Sequence, residues 1–258
     1  MPAYSVRAIV LRRTKLGEAD TIVTLLAEDG TQIRAVAKGL RKPTSKFGGR
    51  LEPGTEVDLL LHTGRNLDVL TEARTVDSHA GVREDFDRQV AASVVEDVID
   101  AATRDADTDP RLYGLVRATL AAIETAPPEH TLEIVLAFLL KSLAMHGYRP
   151  ELATCVTCAG DLGASESFSL PAGGAVCERC GVDAVGVQRL SPAGRAWLER
   201  LLSARMSDIV DLGMPHAAAL DGFDLMRAFV EYHLPARLKA LDFYASVVRS
   251  APTEGNAP

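Results

Sequence analysis

Four cysteines in two pairs constrain this chain more than any other feature of its sequence. Cys155-Val-Thr-Cys158 and Cys177-Glu-Arg-Cys180 are separated by 18 residues, and the 258 residues contain no other cysteine. Each pair offers two thiolates on a tight turn, and two such pairs together make the closed tetrahedral sulfur shell that Zn²⁺ fills. The spacing therefore predicts one structural zinc ion held by Cys155, Cys158, Cys177 and Cys180.

Two other interpretations of the cysteine pairs stay open: a pair of disulfides, and two thioredoxin-like redox sites. Disulfides are rare in the cytosol. A redox pair begins a helix within a βαβ unit, and neither pair shows that pattern. Residues 153–187, here called the cysteine segment, contain little apolar sequence to hold them otherwise. We therefore expect zinc removal to unfold this segment locally.

The first third of the chain has the pattern of short strands. Between Ser5 and about Asp77, apolar residues alternate with polar ones or form β-branched runs, and turn sequences interrupt them. About five strands fit into this length, which suits a small barrel such as an OB-fold. Periodicity alone does not separate an OB-fold from an SH3-like barrel.

After Asp77 the apolar period changes to 3.6, which predicts helices. Proline-containing breaks divide the run into three helices, Ser191-Pro192 begins another, and a last helix is expected through Leu225, Phe229, His233 and beyond. The sequence thus predicts an α+β chain in which an N-terminal five-stranded OB-fold barrel precedes a helical domain with a four-cysteine zinc-binding insert. The expected boundaries are 1–78 for the barrel, 79–152 and 188–250 for the two helical parts, 153–187 for the insert and 251–258 for a flexible tail.

Charge is unevenly distributed along the chain. The formal net charge of −7 comes from 28 basic and 35 acidic residues. Residues 1–75 contain 12 basic and 9 acidic side chains, net +3, which leaves −10 for the rest. Residues 33–51, here called the basic segment, contain no acidic residue and could contact phosphates. Their six cations are Arg34, Lys38, Arg41, Lys42, Lys46 and Arg50.

A solvated surface loop is the plainer interpretation of the basic segment, and its place in a predicted barrel favours nucleic acid instead. Barrels that bind single strands commonly stack bases on aromatic rings. The first 75 residues contain only Tyr4 and Phe47 as aromatics. The hypothesis is therefore that the barrel holds nucleic acid mainly by its phosphates and leaves the base edges free for pairing.

The sequence contains no catalytic motif of the common hydrolase, metalloprotease or nucleotide-binding types, so no enzymatic activity is expected. The start of the chain does not resemble a secretion signal, and its longest apolar helix candidate is shorter than the roughly 20 residues needed to cross a bilayer. We expect a cytoplasmic protein with no membrane contact and no small-molecule substrate.

Several short motifs, in order along nearly the whole chain, resemble the bacterial recombination mediator family RecO. Each motif is weakly specific, and their order around the two cysteine pairs carries the resemblance. They are Ala8-Ile-Val-Leu11, Gly17-Glu-Ala-Asp20, Ala37-Lys-Gly39, Ser45-Lys-Phe-Gly-Gly49 with Leu51-Glu-Pro53, Gly147-Tyr-Arg-Pro150, and Tyr232-His-Leu234 with Leu238-Lys239.

The resemblance implies a protein of DNA repair that binds single- and double-stranded DNA and anneals complementary strands. It implies RecR and single-strand-binding protein as partners, help in loading RecA, and association with the nucleoid. It also implies that the six cations of the basic segment are the DNA contacts and that the four cysteines hold zinc. The alternative hypothesis is a zinc-ribbon adaptor that acts through protein contacts in transcription or translation.

Overall fold

Five strands, paired antiparallel except for one parallel pair, close the N-terminal part of the chain into a barrel. The computed structural model describes residues 2–104, 109–234 and 236–250. The strands are β1 (Ala3–Leu16), β2 (Asp20–Ala27), β3 (Gln32–Ala37), β4 (Glu56–His62) and β5 (Asp68–Asp77). Their order around the barrel is β1-β2-β3-β5-β4, with β3 and β5 parallel. A closed barrel with this strand order confirms the OB-fold prediction.

The two faces of β1 serve two different hydrophobic cores. Ala8 and Val10 point into the barrel, and Ile9 and Leu11 point out of it and pack with the helices. Successive side chains of a strand face opposite sides, so one uninterrupted apolar run can line both cores. The barrel is therefore docked on the helical part through its own wall.

The helices pack on one another and on this outer face of β1. They are α1 (Ala80–Arg83), α2 (Phe86–Ala102), α3 (Pro110–Thr125), α4 (Thr131–Met145), α5 (Glu178–Gly181), α6 (Pro192–Ser203), α7 (His216–His233) and α8 (Lys239–Ser250). Helix α4 is buried on almost every side and forms the centre of the helical core. The hydroxyl of Ser191 accepts the Gly194 N–H at 3.0 Å, so α6 has the predicted cap.

The prediction of one last helix is wrong, because two helices occupy that part of the chain. Helix α7 ends at His233, and Leu234 is extended, with φ −104° and ψ 100°. A residue that precedes proline is disfavoured in the helical region, and Pro235 follows Leu234 in the sequence. The tail expected at 251–258 lies outside the described residues.

The cysteine segment folds around a small antiparallel sheet with the order β7-β6-β8. Its strands are β6 (Ser167–Ser169), β7 (Gly174–Val176) and β8 (Val187–Arg189). Phe168 and Leu170 reach from this sheet into the main helical core. The segment is thus attached to the helical domain on one side, and the cysteines lie on the other.

Polar contacts fix the barrel on the helices at buried positions. The Tyr113 hydroxyl of α3 donates to the carboxylate of Glu56 on β4 at 2.6 Å, and burial, followed by this hydrogen bond, raises the pKa of Tyr113. Gln32 of β3 donates to the Asp100 carbonyl of α2 at 2.9 Å, and Arg12 of β1 pairs with the Asp100 carboxylate.

Tyr113→Phe should lower the free energy of unfolding by about 1–3 kcal/mol, because it leaves the carboxylate of Glu56, only 4% exposed, without its donor. Chemical denaturation of the variant and the parent measures this difference. Tyr232→Phe removes a hydroxyl at the surface and should leave stability unchanged. Equal stability of Tyr113→Phe and the parent would show that water replaces the lost donor.

Candidate functional site: the cysteine cluster and the basic end of the barrel

The four cysteines come together in one cluster, as the sequence predicts. Their sulfur atoms lie within 4.8 Å of one another, and the Sγ atoms of Cys158 and Cys177 are 3.9 Å apart. A tetrahedral zinc ion with Zn–S bonds of about 2.3 Å places its sulfurs about 3.8 Å apart. The cluster therefore has the donor set and the spacing of a metal site of the Cys₄ type.

Backbone N–H groups around the cluster favour thiolates. Burial raises the pKa of Cys155, but the N–H groups of Cys177, Cys158 and Thr157 outweigh it and lower this pKa to about 6. The Cys177 N–H lies 3.3 Å from the Cys155 sulfur. The Gly160 N–H likewise lowers the pKa of Cys158.

The pKa of Cys180 is shifted in the opposite direction. Hydrogen bonds in which its thiol donates to Cys177 and then to Cys158 raise the pKa of Cys180 to about 12. The Cys158 thiolate, followed by that of Cys180, raises the pKa of Arg179 through hydrogen bonding and charge. A cation there would offset part of the −2 charge of a zinc ion with four thiolates. These residues would hold the metal as a closed structural site without an open position for water.

The structure bears on both alternatives to zinc. All four cysteines are free thiols. Contrary to expectation, Cys177 does begin a short helix, α5, but the neighbouring strands are antiparallel and form no βαβ unit. The setting of a thioredoxin-like redox pair is therefore missing from this part of the structure.

Ala159 carries local strain in the first cysteine turn. The second pair is followed directly by Gly181, whereas Cys158 is followed by Ala159, which adopts φ 55°. That backbone region costs a non-glycine residue about 1–2 kcal/mol. The Ala159 N–H still donates to the Cys155 carbonyl at 2.7 Å and closes the turn.

Ala159→Gly should raise the melting temperature of the zinc-loaded protein by a few degrees, because glycine adopts this φ without the steric penalty. The gain is expected to be about 0.5–1 kcal/mol, since glycine also adds freedom to the unfolded chain. Ala153→Gly, which precedes the turn from Cys155 to Ala159, is the matched control and should not stabilise. A lower melting temperature for Ala159→Gly would contradict the strain at this position.

The basic segment lies at the end of the barrel where the β1–β2 turn meets the chain leaving β3. The Arg41 N–H donates to the Ala19 carbonyl at 3.0 Å, and the Arg41 guanidinium donates to the Gly17 carbonyl at 3.1 Å. Asp20 accepts the Gly39 N–H at 2.8 Å. These bonds hold the segment in one conformation.

Five of the six predicted cations gather at this end. Lys38, Arg41 and Lys42 are exposed next to the β1–β2 turn. The Lys46 ammonium binds the Thr71 carbonyl at 2.6 Å, and Arg50 donates to the Lys46 carbonyl at 2.6 Å. Among the described residues, no carboxylate pairs with any of these five side chains. Carbonyl oxygens orient the side chains of Arg41, Lys46 and Arg50 without neutralising their charge.

Arg34 lies apart from the other five cations. It precedes Lys38 by four positions of extended chain, which separates the backbones of the two residues by about 13 Å. It lines a cleft of about 910 Å³ at the opposite end of the barrel, together with Arg65 and Arg104. Neither Arg65 nor Arg104 was predicted as a contact, because barrel closure brings the β4–β5 turn with Arg65 beside β3, and the docking of α2 on the barrel brings Arg104 there.

One cation at the basic end was missed in the sequence. Lys15 is exposed on the last part of β1, beside the turn that Arg41 contacts. The run Arg12-Arg13-Thr-Lys15 was the available signal. Arg13 is engaged with Glu52 at 2.7 Å, which leaves Lys15 as the member of the run that extends the basic end.

Phe47 cannot stack bases, because it is only 2% exposed and packs inside the barrel with Leu51. Tyr4 is half-buried, and its hydroxyl is bonded to Asp68. The barrel therefore presents cations at its basic end and keeps both of its aromatic rings engaged elsewhere.

Comparisons with known proteins cover both parts of the chain. The family model Recombination protein O N terminal matches residues 1–79, and Recombination protein O C terminal matches residues 83–242. The chain belongs to the RecO family.

Curated relatives in this RecO family bear the name DNA repair protein RecO. The one from Frankia casuarinae is 37% identical over 94% of this chain and 98% of the relative. Those from Nocardioides sp. and Cutibacterium acnes are 39% and 35% identical, over 93% of this chain and 98% of each relative. Within the described residues, no helix combines the length and apolar character needed to span a membrane.

Proposed function

We propose that this chain is a non-enzymatic recombination mediator of DNA repair that binds single- and double-stranded DNA and anneals complementary strands. The observation that carries the proposal is the cluster of five cations at the basic end, which have no carboxylate partners among the described residues and three of which are oriented by carbonyl oxygens. Phosphate contacts of this kind bind DNA regardless of its sequence.

The proposed annealing activity follows from the absence of exposed aromatic rings among the described residues of the basic end. A surface that stacks bases competes with base pairing, whereas one that holds phosphates leaves the Watson–Crick edges free. Neutralising the backbone also lowers the repulsion between two strands that approach each other. The basic end of this barrel has the composition for that task.

The proposed partners follow from family membership. They are DNA, RecR, single-strand-binding protein and, functionally, RecA, which the protein helps to load onto strands coated by single-strand-binding protein. One structural zinc ion on Cys155, Cys158, Cys177 and Cys180 stabilises the cysteine segment. The proposed place of action is the cytoplasm, at the nucleoid.

An annealing assay tests this function. At low salt the purified protein should accelerate pairing of complementary oligonucleotides and retard a single strand in a gel, and both effects should fall steeply as salt is added. For a single strand, log K should fall against log salt with a slope of about −0.7 per neutralised phosphate. Binding without accelerated pairing would contradict the annealing role.

A second candidate, the zinc-ribbon adaptor, has one observation in its favour. Val182 and Val185 in the cysteine segment are 83% and 69% exposed, and the nearby strand β8 is at an edge of its sheet. Apolar side chains beside an open strand edge suit a protein partner. Absence of both annealing and DNA retardation would favour this candidate over the mediator.

A further inference from the structure

Two motifs that lie far apart in the sequence meet on the surface of the helical domain. Tyr148, which follows α4, packs against His233 at the end of α7, with ring centroids 4.4 Å apart and planes tilted by 31°. Tyr232 packs against the edge of the same imidazole at 5.0 Å. Tyr148, Tyr232 and His233 are here called the aromatic platform.

The position of Tyr148 is set by the end of α4. Gly147 adopts φ 87°, the Tyr148 N–H donates to the Leu143 carbonyl at 2.8 Å, and the Gly147 N–H donates to the Ala144 carbonyl at 3.3 Å. This is the Schellman arrangement that closes a helix. Tyr148 is therefore held at one site on the surface rather than on a free loop.

The imidazole is fixed from beneath. Nε2 of His233 lies 3.2 Å from the Leu170 carbonyl of the cysteine segment, to which it can donate a hydrogen bond. The buried ring of Phe229 supports it at 4.5 Å. The platform is thus rigid, with α4, α7 and the cysteine segment each providing one support.

Two tyrosine rings of the platform face solvent. Tyr148 is 40% and Tyr232 is 54% exposed, and among the described residues neither hydroxyl has a hydrogen-bond partner. Buried tyrosines elsewhere in the molecule use their hydroxyls, as Tyr113 does with Glu56. Exposed rings on a rigid support are the property that base stacking requires.

The charges beside the platform favour a polyanion. Arg149, adjacent to Tyr148, is exposed, and no carboxylate pairs with it in the described part of the chain. The acids closest in sequence to Arg149 and Tyr232 accept other hydrogen bonds: Glu151 accepts the Ala153 N–H at 2.9 Å, and Glu231 accepts from Arg227 at 2.9 Å. The positive charge of Arg149 therefore directly follows the exposed Tyr148 in the chain.

We propose that the aromatic platform stacks unpaired bases of single-stranded DNA, while Arg149 contacts the adjoining phosphate. This inference rests on the proposed function and adds a second contact surface to it. The basic end of the barrel binds single and double strands alike through phosphates, and the platform recognises only strands with free bases. It gives the molecule a preference for single strands that the barrel lacks.

Oligonucleotides with and without bases test the platform. The wild-type protein should bind a labelled oligo-dT about tenfold more tightly than an abasic strand of equal length, as one stacking contact would give. Tyr148→Ala/Tyr232→Ala should lose most of that preference and bind both strands like the abasic one. Its salt dependence should equal that of the wild type, because no phosphate contact is removed.

Tyr148→Phe/Tyr232→Phe is the matched control, since it keeps the rings and should keep the preference. Tyr232→Ala alone removes the more exposed ring and should give a partial loss even if Tyr148→Ala perturbs folding. An alanine variant that is folded and keeps the full preference for oligo-dT overturns the proposal. So does a wild-type protein that binds both strands equally with a steep salt dependence, a result that would leave the mediator function intact.

Discussion

Zinc removal should release the cysteine turns of residues 153–162 and 177–185 and leave the barrel folded. The apolar cluster around the cysteines is small, with Leu162, Ala175 and Val176 as the buried members besides Cys155. So few apolar groups cannot offset the conformational entropy of the segment, and a structural zinc ion supplies most of the folding free energy of such a unit. We expect one zinc ion per chain by elemental analysis.

Hydrogen–deuterium exchange measures the expected unfolding peptide by peptide. After chelation, or in Cys177→Ser/Cys180→Ser, exchange in the two turns should rise by at least about a hundredfold, the factor that a loss of about 2.7 kcal/mol of local stability gives. Residues 167–170 should keep more protection, because Phe168 and Leu170 belong to the helical core. Thr157→Ala, which keeps all four thiols, is the matched control. Unchanged exchange after metal loss would contradict a structural role.

Lys38→Ala/Lys42→Ala should weaken single-strand binding by roughly tenfold at low salt and reduce the salt slope by about 1.4, or about 0.7 for each lost phosphate contact. These two lysines are the cleanest choice, because Arg41, Lys46 and Arg50 also donate to backbone carbonyls and their loss would disturb the segment. Fluorescence anisotropy at several salt concentrations measures both quantities.

The control for the lysine variant removes two positive charges elsewhere. Arg189 and Arg249 are paired with Glu166 and Asp224, so Arg189→Ala/Arg249→Ala should leave the salt slope unchanged. If both double variants lowered affinity equally, net charge rather than the basic end would govern DNA binding. If neither did, the five cations would be ordinary surface residues.

The sequence predicted elements whose signal is local and periodic. The apolar run from Ala8 to Leu11 predicted a strand, whose two faces are both buried in the structure. The spacing of the cysteines predicted that the four thiols come together in one cluster. Leu234-Pro235 carried the signal for the end of α7, but the apolar period continued across it and favoured one long helix.

The sequence pattern could not predict properties that depend on the closure of the barrel or on the direction of a side chain. Arg34 belongs to the basic segment by sequence, yet it faces another cleft because the strand carries it about 13 Å from Lys38. The sequence placed Phe47 in the basic segment without showing the direction of its side chain, which is inside the barrel. Tyr148 and Tyr232 are 84 positions apart, and only the packing of α4 beside α7 brings them together.

Strand β1 contributes side chains to both hydrophobic cores, and this limits how far the barrel and the helices can move apart. An isolated barrel would expose Ile9, Leu11 and Leu26 to water, so it should aggregate or fail to fold rather than act as a separable module. Within the residues that the structure describes, the barrel and the helices share a hydrophobic core at this junction, so opening it would disrupt that core. Any DNA strand that touches both the barrel and the helical body is therefore held by a rigid frame, and bending must occur in the DNA.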